Sequence, residues 1–184
     1  MPTIAILADI HGCLPALEKA LEQLAAFKPD HYLLLGDLLN HGPRNPVPEG
    51  YAPAEVAERL NLLKGQIIAV RGNCDSEVDQ MLLEFPALSP CNYLLIAGFR
   101  VCMSHGHLFA PEQLALSAGD LLLTGHTHKA GITRSDEGIL IFNPGSITFP
   151  RGEWGPSFGL YQSGTLTIRV LDDAAILASH VLVA

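Results

Sequence analysis

Hydrophobic positions along this chain fall into short runs separated by polar turns, and their spacing changes between its two halves. Thr3 to Ala8 is almost continuously apolar and short, as expected of a strand buried on both faces. Leu14, Leu17, Leu21 and Leu24 then recur at helical spacing, with Pro15 near the start, where its missing N–H costs least. His31 to Leu35 reads as a second buried strand. A polar, proline-rich segment follows from Asn40 to Pro53, a second helix is predicted from about Ala54 to Lys64, and Gln66 to Val70 is the third strand. This βα alternation predicts parallel pairing with right-handed crossovers, and it places functional loops at the carboxyl ends of strands.

The second half loses the helical spacing. Tyr93 to Ile96 and Arg100 to Ser104 flank Ala97-Gly98-Phe99 as a hairpin. Leu121 to Thr124, Ile139 to Phe142, Leu160 to Gln162, Leu166 to Val170 and Ile176 to Leu182 are short strands joined by Gly, Asp or Ser turns. So many strands exceed one comfortable small sheet, and two stacked sheets with helices outside are the economical α/β solution. No internal repeat, low-complexity tract or domain boundary interrupts residues 1–184, which predicts a single domain.

Composition narrows the class of partner. The 184 residues are 48% apolar, enough for a domain that buries about 70% of the surface its unfolded chain exposes. No stretch approaches the roughly 18 continuous apolar residues of a membrane span, and no Lys or Arg precedes Lys19, so a soluble cytoplasmic protein is expected. Cys13, Cys74, Cys91 and Cys102 show no Cys-x-x-Cys spacing and are expected as reduced thiols. The net charge of −8, without a Lys/Arg cluster, argues against an extended nucleic-acid footprint. A small anionic substrate held by metal remains compatible, as does a homo-oligomer.

Metal-binding side chains recur at the ends of the apolar runs. They read Asp9-Ile10-His11-Gly12, Gly36-Asp37, Gly72-Asn73, Ser104-His105-Gly106 and Gly125-His126-Thr127-His128. In extended chain, residues i and i+2 face the same way about 6.6 Å apart, so Asp9 with His11, and His126 with His128, can each converge on one ion. Seven side chains are too many for one ion that must also hold substrate. With Asp37 shared, they make four bonds to each of two ions and leave about two positions per ion for water and substrate. Imidazole, carboxylate and amide without thiolate suit Mn, Fe, Co, Ni or catalytic Zn better than a structural Zn site.

In this order Asp-x-His, Gly-Asp, Gly-Asn, His-Gly and Gly-His-x-His resemble the calcineurin-like metallophosphoesterase superfamily. Gly72-Asn73-Cys74-Asp75, Asn40-His41-Gly42-Pro43-Arg44-Asn45, Pro48-Glu49-Gly50-Tyr51-Ala52-Pro53 and Asn143-Pro144-Gly145-Ser146 are similar, more narrowly, to its bacterial YfcE-type phosphodiesterases. The resemblance implies a four-layer αββα sandwich of two mixed β-sheets flanked by helices. It implies one ion on Asp9, His11, Asp37 and His128, and a second on Asp37, Asn73, His105 and His126. It also implies phosphodiester hydrolysis by a metal-bridging hydroxide, with Mn²⁺ as the first expectation for both ions. Many members carry His after the motif Asn, as a proposed acid for the leaving oxygen, where this chain has Cys74.

The acid is therefore sought elsewhere. His107, two residues past His105, is the candidate proton donor or substrate contact, with His41 behind it, and Arg44 is the candidate phosphate clamp. The expected partner is a small phosphodiester. Two other readings stay open: a phosphomonoesterase or protein phosphatase using the same site, and a non-catalytic protein-binding scaffold with the same fold, as in the related retromer subunit of eukaryotes. A monoester's extra charge calls for added cations, for which Arg44 and Arg151 are the visible candidates.

Overall fold

In the computed structural model, which describes residues 1–182, two mixed β-sheets stack face to face. The first sheet is seeded by β1 (Ile4–Leu7), β2 (His31–Leu34) and β3 (Ile67–Ala69), paired in parallel in the order β3-β2-β1. Their side chains alternate between two cores, as the period of a strand requires. Ala5, Leu7, Tyr32, Leu34 and Ala69 face the helices, whereas Ile4, Ile6, Leu33, Leu35 and Val70 face the second sheet. Burial on both faces explains why these strands read as continuous apolar runs.

The two crossovers are α1 (Leu14–Ala25) and α2 (Pro53–Asn61). Leu17, Ala20 and Leu24 of α1 are fully buried, as are Val56, Ala57 and Leu60 of α2, which is the apolar stripe expected of a surface helix. The second helix stops short of Lys64, because Lys64–Gln66 tightens into a 3-10 turn that feeds β3. A short helix, α3 (Glu77–Gln80), follows β3; Asp79 accepts hydrogen bonds from the Ser76 N–H and hydroxyl at its start.

The second sheet has the order β4-β5-β6-β8-β7. It is formed by β4 (Asn92–Ile96), β5 (Phe99–Met103), β6 (Leu121–Leu123), β7 (Gly131–Arg134) and β8 (Leu140–Asn143). Strands β5, β6 and β8 are parallel, and the hairpin strand β4 and the edge strand β7 run against them. The expected elements omitted β7, whose half-exposed Gly-Ile-Thr-Arg carries little apolar signal. Val101, Met103, Leu121, Leu123, Leu140 and Phe142 meet the first sheet.

The helical cover is lighter than the expected αββα layering. On the outer face of the second sheet, Cys102, Leu122 and Ile139 are covered by Phe109, Leu114 and Leu116 of a loop whose one regular element is the 3-10 turn Pro111–Gln113. The last strands, β9 (Ser157–Gln162), β10 (Thr165–Val170) and β11 (Ile176–Val181), extend the first sheet from β1 as an antiparallel meander. Strand β9 begins three residues before the predicted start, because Gly159 lets the backbone lie against the other sheet. A Cβ there would stand 2.7 Å from the Phe142 ring. Among the described residues, no helix is long and apolar enough to cross a membrane.

Candidate metal centre

All seven expected ligands lie just past strand ends on one rim of the sandwich. Asp9 and His11 follow β1, Asp37 follows β2 and Asn73 follows β3, while His105 follows β5 and His126 and His128 follow β6. Five of them, Asp9 (φ 56°), His11 (φ 51°), Asp37 (φ 55°), His126 (φ 66°) and His128 (φ 58°), hold a left-handed backbone. Each such residue costs about 1–2 kcal/mol relative to an ordinary conformation, so the surrounding packing must impose it. Glycine makes the crowding possible at Gly72, where a Cβ would lie 2.1 Å from Asp37 Oδ1 and 2.2 Å from the Asp37 nitrogen.

Backbone carbonyls aim three of the imidazoles. The Nδ1 atoms of His11, His105 and His128 lie 2.9, 2.6 and 2.7 Å from the carbonyl oxygens of Asn40, Leu35 and Phe149. A carbonyl can only accept, so each Nδ1 carries a proton and each Nε2 is turned to the rim. The Nε2 atoms of His11 and His128 face each other at 3.3 Å. Around Asp9 Oδ1, a buried atom without a hydrogen-bond partner, the Nε2 atoms of His128, His11 and His105 stand at 3.3, 3.9 and 4.0 Å. At 3.3 Å the nearest is long for a charge-assisted hydrogen bond. Asp37 Oδ2 is 3.7 Å from His11 Nε2 and 3.5 Å from His105 Nε2, so this carboxylate stands between the two histidine groups. Asn73 Oδ1 completes the second group, 3.2 Å from His105 Nε2 and 2.7 Å from His126 Nδ1.

Two buried carboxylates ringed by imidazole nitrogens call for positive charge among them, whether a proton or a metal ion. The electrostatics agree. Burial opposes a charge on His105, yet the Asp37 and Asp9 carboxylates and the Leu35 carbonyl push it up to about 9. Burial likewise works against the Asp37 carboxylate, but His105, the Cys74 N–H and His11 bring it down to about 2. The site thus stabilises positive charge at its centre, and the donor set suits divalent ions. Asp9 with His11 and His128, and Asp9 with Asp37 and His105, form groups compact enough to hold one.

The rim opens into a cleft of about 610 Å³ lined by Asp37, Asn73, His126 and His128, with Arg44, Lys129 and Arg151 on its wall. Arg44, the candidate phosphate clamp, thus lies on the cleft wall. His41 lies beside the cleft with its ring edge-on to Tyr51, and His107 borders a separate hollow of about 260 Å³ while packing edge-on against His105. The Nδ1 atoms of both are buried without a hydrogen-bond partner. Cys74 Sγ stands close to His11 and Asp37. Burial, reinforced by Asp37, pushes its thiol up to about 12 and keeps it neutral.

A sequence profile of the calcineurin-like phosphoesterase superfamily domain matches residues 3–165. The chain belongs to this superfamily. It is 49% identical over 179 residues to the phosphodiesterase YfcE of Escherichia coli strain K12, covering 97% of each chain. The solved structure of that E. coli phosphoesterase superposes with a TM-score of 0.93 at 47% identity, covering 98% of this chain and 100% of that one. Vacuolar Protein Sorting 29 from Cryptosporidium parvum shares the fold at a TM-score of 0.65 and 21% identity, covering 98% of both chains.

Several groups that build this phosphoesterase rim carry no ligand signature in the sequence. Asp75, 3% exposed, accepts hydrogen bonds from the N–H groups of Asp37, Leu38 and Gly72 at 2.8, 2.8 and 2.7 Å, which locks the β2 and β3 loops together. Burial pushes its carboxyl up to about 6 against the opposing pull of those N–H groups. Ser146 donates its hydroxyl to the Asp9 carbonyl at 2.8 Å, and Asn143 donates to the Gly125 carbonyl at 2.9 Å. In the sequence Asp75 is signalled by its place in Gly72-Asn73-Cys74-Asp75, and Lys129 only by its place after His128.

Proposed function

We propose that this chain is a divalent-metal-dependent phosphodiesterase and that residues 1–184 act as one metallophosphoesterase domain. The observation that carries the reading is the convergence of imidazole Nε2 atoms on the buried, unpartnered oxygen of Asp9 and on Asp37. Asp9, His11, Asp37 and His128 would hold one ion and Asp37, Asn73, His105 and His126 the other, with Mn²⁺ first among Mn, Zn, Fe, Co and Ni. Such ions, when bound, lower the pKa of water from about 15.7 toward about 7 and offset charge on phosphoryl oxygens.

The chain's own groups do the rest. The carbonyls of Asn40, Leu35 and Phe149 hold the Nδ1 protons of His11, His105 and His128 and so turn each Nε2 toward the ions. Arg44 on the cleft wall would hold a phosphate of the substrate by paired N–H donors, with His41 beside the same loop. The likeness to an E. coli phosphodiesterase supports a diester over a monoester, and the five strained ligands support an enzyme over a scaffold, which would have no use for that strain. The expected setting is the cytoplasm, where the four cysteines, all free, stay reduced.

Dialysis against Mn²⁺ followed by elemental analysis is expected to give two ions per chain. The loaded protein should hydrolyse an aryl phosphodiester faster than its monoester. One ion or none, or a preference for the monoester, overturns the reading.

His107 is the proposed proton source for the leaving oxygen. His107→Ala is expected to slow an alkyl diester, whose leaving group needs a proton, by about 10²-fold, and an aryl diester much less. Equal slowing of both removes that role.

A further inference from the structure

Arg44, Lys129 and Arg151 share the cleft wall, and none has a carboxylate partner among the described residues, unlike Lys19, Arg59, Lys64, Arg71 and Arg100. Asp37 is the one carboxylate of that lining. In a chain with 19 acidic and 11 basic residues, three cations against one acid run opposite to the overall balance, so the cleft gathers positive charge in an acidic chain.

The three cations come from distant parts of the sequence and are tied together locally. Arg151 donates from Nη2 to Asn45 Oδ1 at 3.3 Å, next to Arg44. Its backbone N–H donates to the His128 carbonyl at 2.8 Å, just before Lys129, and the Lys129 stem passes beside Gly152. Like charges gathered in this way repel unless an anion sits among them. Two divalent ions offset by Asp9 and Asp37 already exceed the single negative charge of a diester. The wall cations are therefore surplus to a diester whose arms are neutral.

We propose that the substrate is a phosphodiester one arm of which ends in a second phosphoryl group, and that Arg44, Lys129 and Arg151 receive that group. This rests on the phosphodiesterase reading above. The two guanidinium groups offer paired donors to phosphate oxygens, and the lysine adds a point charge. A cleft of about 610 Å³ has room for both the reacting centre and the distal group.

Two p-nitrophenyl phosphodiesters of propanediol test the proposal, one with its alkyl arm ending in a hydroxyl and the other in a phosphate. With Mn²⁺-loaded protein at low salt, the phosphate-ended ester is expected to show at least about tenfold higher kcat/KM, a preference that shrinks as salt rises. In the combined variant R44Q/K129Q/R151Q that ratio should fall to about one. Calorimetry gives a readout independent of turnover: propanediol bisphosphate should bind wild type at least about tenfold more tightly than propyl phosphate, and bind the variant without preference. Equal handling of the two esters by wild type, or an unchanged ratio in the variant, overturns the proposal and leaves the phosphodiesterase reading standing. Hydrolysis of neither ester overturns that reading and the proposal with it. Faster hydrolysis of p-nitrophenyl phosphate than of either diester assigns the cations to a monoester and overturns the proposal as well.

Discussion

Replacing Asp37 with Asn is expected to lower the turnover of an aryl phosphodiester by about 10³-fold or more while the protein stays folded. The amide keeps the shape of the side chain and an oxygen for the Cys74 N–H, which Asp37 Oδ1 accepts at 2.7 Å. What it removes is the negative charge 3.7 Å from His11 Nε2 and 3.5 Å from His105 Nε2, between the two histidine groups. A single preorganised electrostatic contact at a reacting centre is worth about 10²–10³ in rate, and on the proposed ligand sets Asp37 would support two ions rather than one. Steady-state kinetics with elemental analysis decides the matter. A variant that keeps two ions and retains activity within about tenfold of wild type would show that Asp37 does not bridge.

Replacing Asp75 with Ala is expected to destabilise the fold by about 3–5 kcal/mol, read as a lower urea midpoint with an unchanged slope. The buried carboxylate accepts three backbone N–H groups that have no other partner among the described residues, two of them on Asp37 and Gly72 themselves. Leaving them unpaired costs more than the hydrogen bonds themselves contribute, because burial denies them water. Asp75→Asn should fall between the two, since its amide supplies one acceptor and turns two donors toward an N–H. A midpoint within about 0.5 kcal/mol of wild type for Asp75→Ala would show that water replaces the carboxylate.

The parallel strands and both crossover helices were legible because their signals are local. Leu17, Ala20 and Leu24 mark one face of α1, and doubly buried strands read as unbroken apolar runs. Strand β7 and the loop that replaces an outer helix over Cys102, Leu122 and Ile139 were not legible. Their place is set by what they cover rather than by their own periodicity. At the site, side-chain ligands announce themselves by type and spacing. The carbonyls of Leu35, Asn40 and Phe149 cannot, because every residue has one.

By itself the sequence determined which side chains stand at the carboxyl ends of the strands, and therefore that seven potential ligands meet on one rim; that follows from strand periodicity and parallel topology, which a short stretch of chain encodes. Only the tertiary structure decided which nitrogen each histidine presents, that Asp75 binds the Asp37 and Gly72 loops, and that Lys129 joins Arg44 and Arg151 on one wall. These depend on contacts between residues tens of positions apart, such as Asp37 with Asp75 and Asn45 with Arg151, whose geometry exists only once the sheets have packed.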